Sequence, residues 1–160
     1  MLRSRVRLGD VPGVARQALG HLAALATGAY RKTIGAQALI EDGEGRVLLA
    51  QVRYPPRLWN LPGGRVGRDE PPDRAIVREV REETGLEVRV ERLLTVDARR
   101  RRAITFCFAC TVTGGELRPA PGEIAAVAWF DASELAGLQH NVRDTIAQAR
   151  AATEGTRYLA

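Results

Sequence analysis

The sequence lacks any apolar run as long as the ~18 residues that a membrane-spanning helix requires. Its first thirty residues join a basic start to an apolar stretch, but Asp10, Arg16 and His21 interrupt that stretch and disfavour a signal peptide. The pattern instead predicts an amphipathic N-terminal helix with Asp10 as its cap. We expect a cytoplasmic protein without a membrane partner. The helix would pack on the domain or on a second subunit, which would make a homodimer.

Cysteine is also scarce. The two cysteines, Cys107 and Cys110, lie in ITFCFACTV, a stretch that predicts a strand. Side chains alternate along a strand, so residues three apart point to opposite faces of the sheet. We therefore expect neither a disulfide nor a shared metal between them, and two reduced thiols suit a cytosolic protein.

Lysine is nearly absent, with Lys32 the single lysine among 24 Lys and Arg residues. The net charge of +5 and the pI near 10.0 indicate an anionic partner. Nucleic acid, a membrane surface and phosphorylated small molecules all satisfy that condition. Arginine is the better bidentate partner for phosphate. The length of 160 residues predicts one domain with a substantial core.

The order of elements predicts an α+β protein. TIGAQALI and RVLLAQV are strand-like and, with EDGEG between them, predict a hairpin. A helix is predicted over residues 73–84, where Gly85 ends it in the left-handed conformation. Strands LEVRVERLLTV and AITFCFACTVT follow, and Gly114 with Gly115 marks a hairpin turn. After the strand AAVAWF, Asp131 and Asn141 are the predicted caps of two final helices. The result is a mixed sheet with helices on both faces.

The helix at residues 73–84 carries an unusual set of charges. At about 100° per residue, Ile76 and Val80 share the core face, whereas Glu79, Glu82 and Glu83 occupy the adjoining arc. Like charges at spacings of three and four repel one another and cost stability. Clustered oxygens are the ligands that Mg²⁺ or Mn²⁺ prefers, and such a cation would remove the repulsion. The alternative is a charged helix face in solvent, which is common in soluble proteins.

One spacing favours the metal site. Gly64, then Glu70 after five residues, then REVREETGL (78–86) after seven more, resembles the complete signature of the Nudix hydrolases. GRVLLAQ, LWNLPGG and EIAAVAWFDASEL are also similar to that family. Pro71 and Pro72 stand where family members often carry a hydroxyl cap, and we expect Asp73 to replace that cap in part.

The resemblance implies an α/β/α sandwich and an enzyme that cleaves the pyrophosphate linkage of a nucleoside diphosphate joined to another group. It divides the chain into an N-terminal helical extension (1–30), a hydrolase domain (31–152) and a C-terminal tail (153–160). The cofactor it implies is Mg²⁺ or Mn²⁺. Its implied metal ligands are the Gly63 carbonyl oxygen and the carboxylates of Glu79, Glu82 and Glu83.

Further roles follow from the same resemblance. Glu82 would act as the general base or orient it, and Glu123 is a second candidate for base or ligand. Arg78 is a further candidate for the catalytic site. Arg78 and Glu70 would hold the loop and the helix in register. Gly64 and Gly85 would occupy backbone positions that a side chain would disturb. The expected substrate-binding residues lie before the signature, within it and in the basic run of 99–102: Arg53, Trp59, Arg65, Arg99 and Arg101.

Three other functions remain open from the sequence. The basic charge allows an RNA 5′-end pyrophosphohydrolase, although the run at 99–102 is short and no known nucleic-acid module accompanies it. A non-catalytic module that binds nucleotides, or a domain that holds a metal for stability alone, would also account for the acidic cluster. We expect a small nucleotide substrate and no specific nucleic-acid partner.

Overall fold

The computed structural model describes residues 32–100, 102–152 and 155–159. The N-terminal helix predicted for residues 1–30 lies outside them. The described elements are three helices and eight strands: β1 (Thr33–Ile40), β2 (Val47–Val52), β3 (Trp59–Asn60), β4 (Gly63–Arg65), α1 (Pro72–Thr84), β5 (Leu86–Asp97), β6 (Ala103–Gly115), β7 (Ile124–Phe130), α2 (Ala132–Leu135), α3 (His140–Arg150) and β8 (Arg157–Leu159). No helix in these ranges is both long and apolar enough to cross a membrane.

The strands form two sheets. One has the order β4-β1-β6-β5-β8, with β1–β6 and β5–β8 parallel and the other pairs antiparallel. The other has the antiparallel order β3-β2-β7. The predicted mixed sheet with helices is confirmed, and the fold class is α+β.

Two apolar clusters lie on opposite faces of the five-stranded sheet. Ile76 and Val80 of α1 belong to the first cluster, together with Phe108 and Cys110 of β6. The second contains Val142, Ile146 and Ala149 of α3, with Cys107 of β6. Strand alternation therefore separates the two cysteines, as predicted. Both thiols are free, and burial raises the pKa of each to about 12.

The predicted hairpin of β1 with β2 is wrong. Only the bridge of Glu41 with Val47 links the two segments, after which they enter different sheets. β1 pairs along its whole length with β6, and β2 pairs with β7. Ala36, Ala38 and Ile40 of β1 are fully buried. This burial is typical of a central strand, which pairs with a neighbour on each edge.

Of the two structural roles predicted for glycines, the helix end at Gly85 is confirmed and the hairpin turn at Gly114 and Gly115 is wrong. Gly85 has φ 74° and ends α1 in the left-handed conformation, as predicted. Gly114 and Gly115 do not make a hairpin, since β6 and β7 lie in different sheets. Gly115 has φ 85°, and a side chain there would collide with the Gly85 carbonyl oxygen. A close approach between two backbones, and not a tight turn, requires this glycine.

One of the predicted helix caps is confirmed and two are wrong. Asp131 caps α2 and forms a capping box with Glu134, as predicted. The cap of α3 is Gln139, not Asn141, and its side chain makes no capping hydrogen bond. No side chain caps α1 either, so Asp73 does not replace the missing hydroxyl, although its charge suits the first turn. Strand β8, inside the segment treated as a tail, was not predicted.

Packing of α1 against the first cluster positions the acidic arc, and Ile76 is fully buried there. We predict that Ile76→Ala lowers the free energy of unfolding by about 2–5 kcal/mol, because it leaves a cavity in the core. Urea denaturation measures the change. Arg81→Ala, an exposed position on the same helix, is the control and should stay within about 0.5 kcal/mol of the parent chain. Equal changes in the free energy of unfolding for the two variants would show that Ile76 does not anchor α1 in the core.

Candidate functional site

Arg78 connects helix α1 to the loop before it. Its Nε and Nη2 donate to Glu70 Oε1 and Oε2, each at 2.9 Å, so the pair is bidentate. Nη2 also donates to the Arg65 carbonyl at 3.1 Å, and Glu70 Oε2 accepts the Gly67 N–H at 2.9 Å. The Arg78 hydrogen bonds, followed by that of Gly67, lower the pKa of Glu70 to about 2. The loop is thereby held to the helix by charge-assisted bonds over a wide pH range.

The remaining guanidinium nitrogen of Arg78 contacts two members of the acidic cluster. Nη1 donates to Glu79 Oε1 at 2.8 Å and to Glu82 Oε2 at 2.9 Å. The third member, Glu83, accepts the Gly63 N–H at 2.8 Å. The three glutamates therefore meet the β4 segment and Arg78 on one side of α1.

Gly64 provides the space for Glu79. A Cβ at position 64 would lie 2.5 Å from the Cδ and Oε2 atoms of Glu79, which is far too close. Any side chain there would push this carboxylate away from the strand. The glycine therefore lets the Glu79 carboxylate lie close to the backbone of β4.

Glu83 has an electrostatic environment suited to a cation. The pKa of its carboxyl is raised to about 7, chiefly by burial and in part by the nearby charges of Glu79, Glu123 and Glu82, while the Gly63 hydrogen bond acts in the opposite direction. The exposed loop residue Glu123 is thus within electrostatic reach of the cluster, although no hydrogen bond joins it to Glu83. Four carboxyl groups therefore lie near one another, and that of Glu83 is largely buried.

The donor set fits a hard divalent cation, because it consists of carboxylate oxygens beside backbone oxygens. In the described ranges, no three acidic, His or Cys side chains are already arranged around one point as metal ligands. Arg78 Nη1 contacts Glu79 and Glu82, so a cation bound by both carboxylates would replace this ion pair.

In the described residues, no side-chain hydrogen bond joins the other expected substrate residues to the three glutamates of this cluster. Arg53 is exposed, and its Nη2 donates to the Ile124 carbonyl at 3.2 Å beside Glu123. Arg65 is exposed at the end of β4. Trp59 is half-buried and packs edge-on against Phe130 at 4.8 Å between ring centroids, so its ring contributes to the core. Arg101 lies outside the described residues.

Arg99 lines a separate cavity of about 240 Å³ between the five-stranded sheet and α3. Its Nη2 and Nε donate to Asp97 at 2.6 and 3.0 Å, and these bonds lower the pKa of Asp97. The polar lining of this cavity was not predicted from the sequence, and it includes Gln37, Asn60, Thr105, Asn141 and Gln148. The spacing of Asn141, Thr145 and Gln148 along α3 was the available signal, because it defines one polar helix face.

The known proteins that this chain resembles point to a single protein family. The model of the NUDIX domain matches residues 31–151. A MutT-like protein of Streptomyces ambofaciens is 40% identical over 59% of this chain and 60% of its own length. The diphosphoinositol polyphosphate phosphohydrolase 3-alpha of Mus musculus is 39% identical over 52% of each chain. The chain therefore spans little more than half the length of these curated relatives.

A solved structure shows the same fold. The ADP-ribose pyrophosphatase of Streptococcus suis 89-1591 superposes with a TM-score of 0.66 at 27% identity. The match covers 79% of this chain and 98% of that protein.

The Glu70–Arg78 pair should be the main restraint on the loop at residues 66–71. We predict that Glu70→Ala accelerates amide hydrogen exchange at Gly67 several-fold, because the Gly67 N–H loses its acceptor. Exchange followed by NMR measures this. Asp69→Ala is the matched control, since it removes a neighbouring exposed carboxylate, and it should leave Gly67 unchanged. Unaltered Gly67 protection in Glu70→Ala would show that the pair does not restrain the loop.

Proposed function

The chain belongs to the Nudix family, and we propose that it is a divalent-metal-dependent hydrolase of nucleoside diphosphate derivatives. In the proposed reaction, a water oxygen bonds to one phosphorus of the diphosphate and the bond from that phosphorus to the bridging oxygen breaks. The bridging oxygen leaves with the second phosphate. A nucleoside diphosphate joined to a group X would thus give a nucleoside monophosphate and a phosphate ester of X.

One observation carries this proposal: Glu79, Glu82 and Glu83 crowd around Gly63 and Gly64 while Glu123 adds its charge nearby. Repulsion between these charges lowers the stability of the folded state, so stability alone does not explain why they lie together. The names of the similar proteins also support a phosphorus anhydride as substrate.

The ligands of Mg²⁺ or Mn²⁺ would be the carboxylates of Glu79, Glu82 and Glu83 and the carbonyl of Gly63. When bound, such an ion neutralises phosphate charge and lowers the pKa of coordinated water. Glu82, whose side chain is 58% exposed, is the member of the cluster most open to a water molecule. We propose Glu82 as the group that accepts a proton from the attacking water, with Glu123 as the alternative base.

Arg78 is a positioning residue in this proposal. It holds the Glu70 loop and two of the carboxylates, so the register of loop and helix depends on it. Lysine could not reproduce these contacts, because the guanidinium uses three nitrogens in a planar fork.

A small nucleotide is favoured over an RNA end. In the described part of the basic run, Arg99 is paired with Asp97, and Arg102 also interacts with other residues. Partnered arginines contribute less to a phosphate-backbone surface than free ones, and counterion release requires several such contacts. We therefore propose that free nucleotides are turned over and that long nucleic acids bind weakly.

A phosphate-release screen tests this function. Nucleotide sugars, dinucleoside polyphosphates, nucleoside triphosphates and a triphosphorylated RNA are supplied with Mg²⁺ or Mn²⁺. We predict turnover of free nucleoside diphosphate derivatives, its loss in excess chelator, and recovery when the ion is restored. Undiminished turnover in chelator would disprove the metal requirement, and turnover of RNA alone would favour the RNA-end activity.

Glu83→Gln tests the ligand assignment at constant side-chain size. Changes in residues that only support a metal ligand cost roughly 10–100-fold, so loss of a ligand charge should lower kcat at least that much. Glu87→Gln, four residues further and exposed, is the matched control and should retain the parent kcat. If Glu83→Gln keeps the activity of Glu87→Gln, then Glu83 is not a ligand.

A further inference from the structure

The turn that carries Glu123 is attached to the carboxyl end of α1. The Arg118 N–H donates to the Thr84 carbonyl oxygen at 2.8 Å. The Ala120 N–H donates to the Glu83 carbonyl oxygen at 3.1 Å. The last carbonyls of a helix have no partner within the helix, so these bonds satisfy groups that would otherwise need water. The backbone before Glu123 is therefore fixed relative to Glu83, a member of the acidic cluster.

Arg53 is attached to the other side of the same turn, residues 120–124. Its N–H donates to the Glu123 carbonyl oxygen at 2.8 Å, and its Nη2 donates to the Ile124 carbonyl oxygen at 3.2 Å. The Ile124 N–H donates to the Ala120 carbonyl oxygen at 3.3 Å, which closes the turn. One residue thus binds two consecutive carbonyls, and the first of them belongs to Glu123 itself.

The backbone of Arg53 is itself held in place where β2 ends. The Val52 N–H donates to the Leu58 carbonyl oxygen at 3.1 Å. Gln51 Nε2 donates to the Arg57 carbonyl oxygen at 3.3 Å. Together these bonds close the base of the loop at residues 53–57. The guanidinium of Arg53 therefore extends to the turn from a backbone that is joined to the sheet.

The location of the Glu123 carboxylate depends on this backbone. Glu123 is exposed, and no side chain in the described residues donates a hydrogen bond to its carboxylate. Its charge nonetheless acts on the carboxyl group of Glu83. The bonds from the turn to α1 use backbone atoms alone. In the part of the chain that the structure describes, Nη2 of Arg53 is the one side-chain donor to residues 120–124.

We propose that Arg53 is a positioning residue, which keeps the Glu123 carboxylate close to the acidic cluster by holding the turn at residues 120–124. The inference rests on the proposed hydrolase function, in which Glu123 is a candidate base or metal ligand. It gives Arg53 a role different from the substrate contact expected from the sequence. The side chain acts through the protein backbone and not through the phosphates of the substrate.

Kinetics of Arg53→Met separate the two roles. Methionine keeps an unbranched side chain but removes the donor to the Ile124 carbonyl. Loss of one hydrogen bond corresponds to about a three- to tenfold effect. We predict that kcat falls by that factor for the nucleoside diphosphate derivative preferred in the phosphate-release screen, while KM is unchanged. Loss of a substrate contact made equally in the ground state and the transition state would instead raise KM.

Arg57→Met is the matched control, because Arg57 is exposed in the same loop and its side chain has no hydrogen-bond partner in the described residues. It should retain the kcat and KM of the parent chain. Thermal melting of each variant confirms that the fold is intact.

A double variant tests whether Arg53 acts through Glu123. Glu123→Gln removes the carboxylate charge and should lower kcat by at least about tenfold, as expected for the loss of a base or a ligand. Adding Arg53→Met to Glu123→Gln should lower kcat no further, because the group that Arg53 positions is already gone. Independent roles of the two residues would multiply the two losses.

Hydrogen exchange gives a measurement that needs no turnover. In Arg53→Met, the Ile124 amide should exchange several-fold faster by NMR, because the turn loses its side-chain donor. The Arg118 amide, bound to the Thr84 carbonyl of α1, should keep its rate and is the internal reference. Failure of the inference and failure of the proposed hydrolase function are thereby distinguished.

Four results would overturn the inference. A raised KM with unchanged kcat in Arg53→Met would make Arg53 a substrate contact. Parent kcat in Glu123→Gln, or multiplied losses in the double variant, would show that Arg53 does not act through Glu123. Unaltered exchange at Ile124 would show that Arg53 does not hold the turn. If no compound is turned over while Ile124 exchanges faster, the proposed hydrolase function is wrong and the positioning role falls with it.

Discussion

The repulsion between the carboxylates of Glu79, Glu82 and Glu83 is the main constraint on the candidate site of this protein. Helix geometry places them on one arc, and packing of α1 turns that arc toward β4. The protein reduces the cost with one guanidinium and one backbone N–H, but Glu83 still has a pKa raised to about 7. We propose that a divalent cation removes the remaining repulsion.

The fold supplies the conditions for this cluster. β1 is a central strand whose edges pair with β4 and β6, so the β4 backbone is held close to α1. Gly64 allows Glu79 to approach that backbone, and the Glu70–Arg78 pair fixes the loop that joins β4 to α1. On the opposite face of the sheet, α3 covers the polar cavity.

The local parts of this arrangement could be predicted from the sequence. Helical spacing was sufficient to place the three glutamates beside Ile76 and Val80, and strand alternation separated Cys107 from Cys110. The non-local parts could not be predicted, because turn residues do not specify which strand a segment pairs with. The pairing of β1 with β6 and the role of Gly115 both depend on distant segments. The cavity was missed for the same reason, since its lining comes from residues 37 to 159.

The most direct test of the central claim is the position of a bound cation. Crystals soaked in Mn²⁺ and measured at the manganese absorption edge would locate the ion from its anomalous scattering. We predict a peak bounded by the carboxylates of Glu79, Glu82 and Glu83 and the Gly63 carbonyl, at ligand distances near the ~2.0–2.1 Å of a small hard cation. A fully occupied peak elsewhere in the molecule, with Glu79 and Glu82 still bound to Arg78, would contradict this prediction.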